Sequence, residues 1–276
     1  MLDPFDYKEP ACPLSDGKSF YYPSPDDPSG TVPVRRIIEK LDSYFASNDT
    51  AGAGEFLKRW EAEAKELRDR RGEISIQNEL MGYYRKEGMR DEAYRAARRA
   101  LDLVEEVGIS GTVPAATVML NAATVFKAFG DPTAALELYE KTNKIYSEHL
   151  DANDPLVAGL DNNSALALCD LGRYEEAEEL FVEAAAIMST HPDGGCDEAA
   201  TYVNMAHMYE SWRGVASPEI PECMSLAWEI LDSDATTRDP YYAFVASKCA
   251  PSFEHFGNDE KSIELKRRSK EIYERA

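Results

Sequence analysis

The stretch Asn162-Asn163-Ser164-Ala165-Leu166-Ala167-Leu168-Cys169-Asp170-Leu171-Gly172-Arg173-Tyr174-Glu175-Glu176-Ala177-Glu178-Glu179-Leu180-Phe181 decides the fold. Leu156, Leu160, Asn163, Leu168 and Leu171 fall on one helical face. Asp154-Pro155 opens that helix, with Asp as N-cap and Pro at the first helical position. Gly172 closes it, because a left-handed residue costs glycine little. A second helix then carries Ala177, Leu180, Phe181, Ala184, Ala185 and Met188 at helical spacing. Glu175, Glu176, Glu178, Glu179 and Glu183 form its solvated side. The small alanines let the two helices approach closely, so the stretch reads as a helical hairpin.

The same columns recur along the chain. Glycines stand at 88, 130, 172, 214 and 257, at spacings of 42, 42, 42 and 43. Ala93, Ala135 and Ala177 follow the first three glycines by five residues. Glu79, Asn121 and Asn163 precede them by nine, and Asn204 continues that row 41 residues on. Tyr84, Phe126, Leu168 and Tyr209 form one further column, and Met81, Ala123, Ala165 and Ala206 another. Asp131-Pro132 and Asp239-Pro240 repeat the capping chemistry. No stretch alternates as a strand would.

The flanks are less regular. Val34 to Ala46 and Ala51 to Arg71 read as a degenerate first hairpin over 34–72, joined by Ser47-Asn48-Asp49-Thr50 in place of glycine. Residues 73–215 hold the regular repeats. In 216–276, Pro218 and Pro221 lengthen the connection to a helix of Met224 to Leu231. A last hairpin follows at 240–256 and 259–275, its final helix rich in Lys and Arg as a water-facing cap requires. Residues 1–33 contain seven prolines and read as an extended arm, pinned to the first hairpin by Phe20-Tyr21-Tyr22.

These columns resemble the tetratricopeptide repeat, in the 42-residue variety of kinesin light chains and many bacterial proteins. The best match is Asn162-Asn163-Ser164-Ala165 followed by 172–181 and Ala184, and Asn121-Ala122-Ala123 with Gly130, Ala135, Leu138 and Tyr139 is close behind. The resemblance implies an all-α fold: a right-handed α-solenoid of stacked antiparallel hairpins, about five to six repeats. Residues 34–276 would be a single superhelical domain, with the first helix of each hairpin lining a concave groove. In such families, asparagines of that helix bond a bound peptide's backbone, since Asn both donates and accepts. The matching positions here are Asn121, Asn163 and Asn204, with Asn78 and Asn162 beside them. An asparagine there could equally bond a neighbouring hairpin and hold the stack. Gly82, Arg85, Lys86, Thr124, Lys127, Leu166 and His207 fall on the same groove side, with Asp170 and Glu210. A chaperone-tail carboxylate clamp would also need Lys or Arg in 156–168 or 199–209, and neither segment has one.

Composition narrows the function. The chain has 276 residues, 30 basic and 51 acidic, for a net charge of −21. Residues 100–256 hold 7 basic and 27 acidic side chains, whereas 58–99 hold 12 and 9. Phosphate backbones would repel such a chain, so nucleic acid is a poor partner. No segment reaches the roughly 20 apolar residues of a membrane span. The acidic start of the chain lacks the features of a signal peptide, and the five scattered cysteines suit a reducing, cytoplasmic setting.

Catalytic chemistry finds little support. His149, His191, His207 and His255 show no metal-ligand spacing, and His149 and His191 suit helix C-termini. Cys169, Cys223 and Cys249 read as small core residues, and Cys196, after Gly194-Gly195, as a loop residue open to solvent. Cys12-Pro13-Leu14-Ser15 resembles half a zinc knuckle, but Ser15 occupies the place of a second ligand. No phosphate loop, dinucleotide fingerprint or nucleophile elbow is present. The expectation is a non-catalytic scaffold with no cofactor or metal, holding a protein or peptide in the groove. The charge pattern favours a basic or dipolar partner and permits end-to-end self-association. The alternative is a peptide-sensing regulator that changes shape around a short signalling peptide.

Overall fold

A computed structural model describes residues 30–46 and 49–275. Backbone contacts divide the chain into two compact units, one ending at His149 and one beginning at Leu150. The first unit contains α1 (Val34–Ala46), α2 (Thr50–Glu66), α3 (Arg70–Lys86), α4 (Arg90–Val107), α5 (Val113–Ala128) and α6 (Pro132–His149). The second contains α7 (Pro155–Asp170), α8 (Tyr174–Ser189), α9 (Gly195–Arg213), α10 (Glu219–Asp232), α11 (Pro240–His255) and α12 (Asp259–Arg275). The described residues form no strand. Each odd-numbered helix packs against the next, making three sequential hairpins per unit. The repeated hairpin of a tetratricopeptide-type solenoid is therefore the observed building block.

The sequence signals act as expected at the turns. Asp154 accepts a bond from Leu156 N at 2.9 Å and caps α7. Gly172 sits at φ 72°, and its N–H bonds Cys169 O at 3.0 Å. Gly130 does the same after α5, at φ 85°. Between the helices of each pair, the alanine column closes the interface: Ala93, Ala135 and Ala177 are completely buried. The large residues fill the remaining space, with Tyr139 and Phe181 buried at equivalent positions 42 residues apart. Burying one such aromatic ring contributes roughly 1.5–3 kcal/mol.

Three local features depart from expectation. The second helix of the first hairpin stops at Glu66, and α3 begins at Arg70. Arg68 takes the left-handed conformation there, at φ 58°, in a turn without glycine. Asp69 then caps α3 through Gly72 N at 3.0 Å, and its other oxygen accepts from Val32 N at 2.8 Å. That bond holds the segment entering α1 against the α2–α3 turn. Second, α10 starts at Glu219, immediately after Pro218, not at Met224. Pro221 falls in its first turn, where the missing N–H has no helical partner to lose. Third, Cys196 lies in the first turn of α9 and is buried, not in an open loop. Burial pushes its thiol up to about 12. The expected arm over 1–33, its Phe20-Tyr21-Tyr22 island and the Cys12 half-knuckle fall almost wholly outside the described residues.

Candidate interaction face on the first helices

The leading helices of the regular hairpins are α3, α5, α7 and α9. Their asparagines bond one another across hairpins. In the first unit, Asn121 Nδ2 donates to Asn78 Oδ1 at 2.7 Å, joining α5 to α3. In the second, Asn204 Nδ2 donates to Asn162 Oδ1 at 3.0 Å, joining α9 to α7. Asn162 Nδ2 in turn reaches Asn163 Oδ1 at 3.3 Å. Asn204 thus bonds Asn162 as Asn121 bonds Asn78, each reaching the amide one place before its own row in the preceding leading helix. That equivalence keeps Asn204 in the row of Asn121 and Asn163, 41 residues on from the latter.

All five amides are at most 3% exposed. Of the two roles open to them in the sequence, bridging the stack is the one the geometry displays. One acceptor is left over: Asn121 Oδ1 is buried and has no hydrogen-bond partner. An unmet buried acceptor costs about 1–3 kcal/mol.

The other expected groove residues divide by exposure. Gly82, Thr124, Lys127 and Leu166 are buried with the asparagines. Thr124 Oγ1 donates to Leu120 O at 3.0 Å and also pairs with Tyr139 Oη at 3.2 Å. Arg85 and His207 are half-buried, and Lys86 is exposed with its ammonium 5.1 Å from the Phe45 ring centre. The residues are therefore not a uniformly open lining. The leading helices are covered on nearly every face, as α5 illustrates over 115–118 and 120–125. A helix apolar or small on all sides buries all sides.

Two electrostatic features were not legible in the sequence. Asp161 on α7 is 8% exposed, and burial, reinforced by the Glu183 carboxylate, raises its pKa to about 7. His207 and Glu210 of α9 meet His255 of α11. His255 Nε2 lies 2.8 and 2.9 Å from the two Glu210 oxygens, and His207 Nδ1 lies 3.7 Å from Oε2. Burial pushes His207 down, partly offset by Glu210. The signal available in sequence was the i, i+3 pair His207 and Glu210. Residue 255 joins it only because α11 packs on α9. Elsewhere, His191 follows α8 and its Nε2 contacts Asn153 O at 2.7 Å, while His149 ends α6. Among the described residues, no helix is long and apolar enough to cross a membrane.

Comparisons with known proteins agree with this geometry. The family model described as "Tetratricopeptide repeat" matches residues 162–189. No curated protein sequence matches the chain. Among solved structures, the chain is similar to PilW, a widely conserved type IV pilus biogenesis factor, at 11% identity and a TM-score of 0.55. That alignment covers 90% of this chain and 96% of PilW. It is also similar to a putative kinesin light chain of Podosopora anserina with nearly identical TPR-like repeats, at 20% identity and a TM-score of 0.50. There the coverage is 72% of this chain and 94% of the other. At such identities the likeness is one of fold. Residues 162–189 thus match a tetratricopeptide repeat, and the helical hairpins of both units share that repeat's fold.

Proposed function

We propose that this chain is a non-catalytic interaction scaffold that holds a protein or peptide segment along its leading helices. The observation that supports this reading best is the unpartnered Oδ1 of Asn121. A backbone N–H of an extended peptide is the donor that acceptor lacks; it reaches the fully buried Asn121 once its cover opens, and it would be recognised whatever the peptide's sequence. The acidity of 100–256 favours a basic or dipolar segment. Two thiols, Cys196 and Cys223, have pKa values pushed up to about 12 by burial, which suits small core residues and not nucleophiles. The four cysteines among the described residues are free, which also suits a reducing, cytoplasmic compartment.

Basic and dipolar peptides displayed on an array provide the test, with binders measured by fluorescence polarisation. Asn121→Leu should weaken binding about tenfold, the effect of one lost hydrogen bond of about 1.4 kcal/mol. An unchanged affinity in a folded Asn121→Leu protein removes the leading helices from consideration. The peptide-sensing alternative draws on a second observation: Asn121 is 0% exposed, so a ligand can reach it only if α3 and α5 are uncovered. Hydrogen exchange in those two helices should then change on binding, and equal exchange with and without peptide rejects the sensing reading.

A further inference from the structure

His207, Glu210 and His255 stand apart from the asparagine ladder and take no part in the proposed peptide site. They are contributed by two helices of the second unit, α9 and α11. One candidate ligand atom from each lies within 4.8 Å of the others. A tetrahedral ion bound at about 2.0–2.1 Å needs its ligand atoms about 3.3 Å apart. The observed 2.8 and 2.9 Å between His255 Nε2 and Glu210, and 3.7 Å between His207 Nδ1 and Glu210, bracket that spacing. Small side-chain rotations bring all three into range.

The surroundings orient these groups. His207 Nε2 is 2.8 Å from Ser252 Oγ, and Ser252 is buried in α11. With Nε2–H donated to that oxygen, the Nδ1 lone pair faces the Glu210 carboxylate. An outer partner on the second imidazole nitrogen is how metal-binding histidines are commonly held. The two imidazoles lie 5.6 Å apart and stacked, and Phe256 packs on both at 4.9 and 4.7 Å. One flank of the cluster is therefore apolar and fixed. The other is wet: the three side chains are 26%, 23% and 41% exposed, which leaves room for an ion to enter with a water as fourth ligand.

We propose that His207, Glu210 and His255 form a three-ligand site for a divalent transition-metal ion, best suited to Zn2+, which clamps α9 to α11. Two imidazoles and one carboxylate select borderline ions over Mg2+ and Ca2+, which require oxygen ligands. The open fourth position distinguishes the site from a closed structural zinc centre. On binding, the ion takes the place of the proton between His255 Nε2 and Glu210; the imidazole keeps one proton on Nδ1, and only a second proton, where the ring carries one, passes to solvent.

The test uses the full chain, stripped with chelator and titrated with ZnCl2 by calorimetry, with Co2+ absorption as a second readout. One Zn2+ should bind per chain, with tetrahedral Co2+ bands and a rise of a few degrees in the thermal midpoint. Mg2+ at the same concentration should leave the midpoint unchanged. Glu210→Gln and His255→Gln, tested separately, should each abolish the specific binding and the midpoint shift. Ser252→Ala should weaken binding about tenfold while keeping the stoichiometry. Because His255 is at the exposed end of α11, its variant is the one least exposed to folding defects. Zn2+ binding equally well to both ligand variants would mean that the acidic surface holds it, and that result overturns the site. So would the absence of Zn2+ binding at micromolar concentrations.

Discussion

Two positions in each unit make an instructive comparison. In the first unit, Thr124 of α5 pairs with Tyr139 of α6 through their hydroxyls, 3.2 Å apart. In the second, the residues 42 positions later are Leu166 and Phe181, both buried. One unit fills this part of the repeat with a polar pair and the other with an apolar pair. The pairs change together: a tyrosine hydroxyl buried beside a leucine would lose the oxygen that Thr124 offers it. The repeat thus conserves shape at these positions and leaves polarity free, provided both sides agree. The reverse contrast occurs at 119 and 161, where the first unit has Met and the second a buried Asp.

The largest expected effect comes from removing the shape. Phe181→Ala should destabilise the protein by about 3–5 kcal/mol in urea unfolding, and Tyr139→Ala by a similar amount. A cost well under 1 kcal/mol at either position would show that the column is not a core element.

Asp161 carries the next largest effect. Its folded pKa is raised from 3.8 to about 7, so over that interval the unfolded chain loses its proton first. Its effect on stability is nil below pH 4 and turns increasingly unfavourable as pH rises to about 7, reaching about 2–4 kcal/mol. Asp161→Asn should gain on the natural chain by that amount between pH 4 and pH 8. A constant difference across that range would show that the carboxylate is solvated.

Agreement within the hydroxyl pair can be tested more finely. Phe181→Tyr should cost about 1–3 kcal/mol, and adding Leu166→Thr should recover much of it. Tyr139→Phe should cost about 1 kcal/mol or less, since Thr124 keeps its bond to Leu120 O. Additive single and double variants would dissolve the comparison.

The smallest difference concerns the two amide ladders. Asn204→Ala takes away the donor bonded to Asn162 Oδ1, at a cost of about 1–2 kcal/mol. Asn121→Leu should cost less, because it also removes an acceptor that is already unpaired. Equal costs in thermal or urea unfolding would show that Asn121 Oδ1 is satisfied in solution.

The sequence was most informative wherever the cause is local. The 42-residue period, the capping Asp-Pro pairs and Gly172 at a helix end depend on backbone conformation within a few residues, and they located the starts of α6, α7 and α11 and the end of α7. The buried columns of Ala177 and Phe181 could be read because side-chain direction follows the helical period. The exceptions are also physical. Arg68 occupies a left-handed turn that no glycine announces, and Pro221 is harmless only because it falls in a first turn.

Tertiary structure alone decided which distant groups meet. Periodicity put five asparagines on the leading helices, but a one-residue choice of register determines which of them bond. That choice was settled by the packing of α5 on α3 and α9 on α7. Nor could helical pattern reveal that nine of the fourteen residues expected on the groove side are buried, since burial depends on what covers a helix. The cluster of His207, Glu210 and His255 likewise comes from two hairpins with no shared motif. Hairpins follow from short-range conformational preference, whereas sites between hairpins follow from long-range contacts that the local chain does not encode.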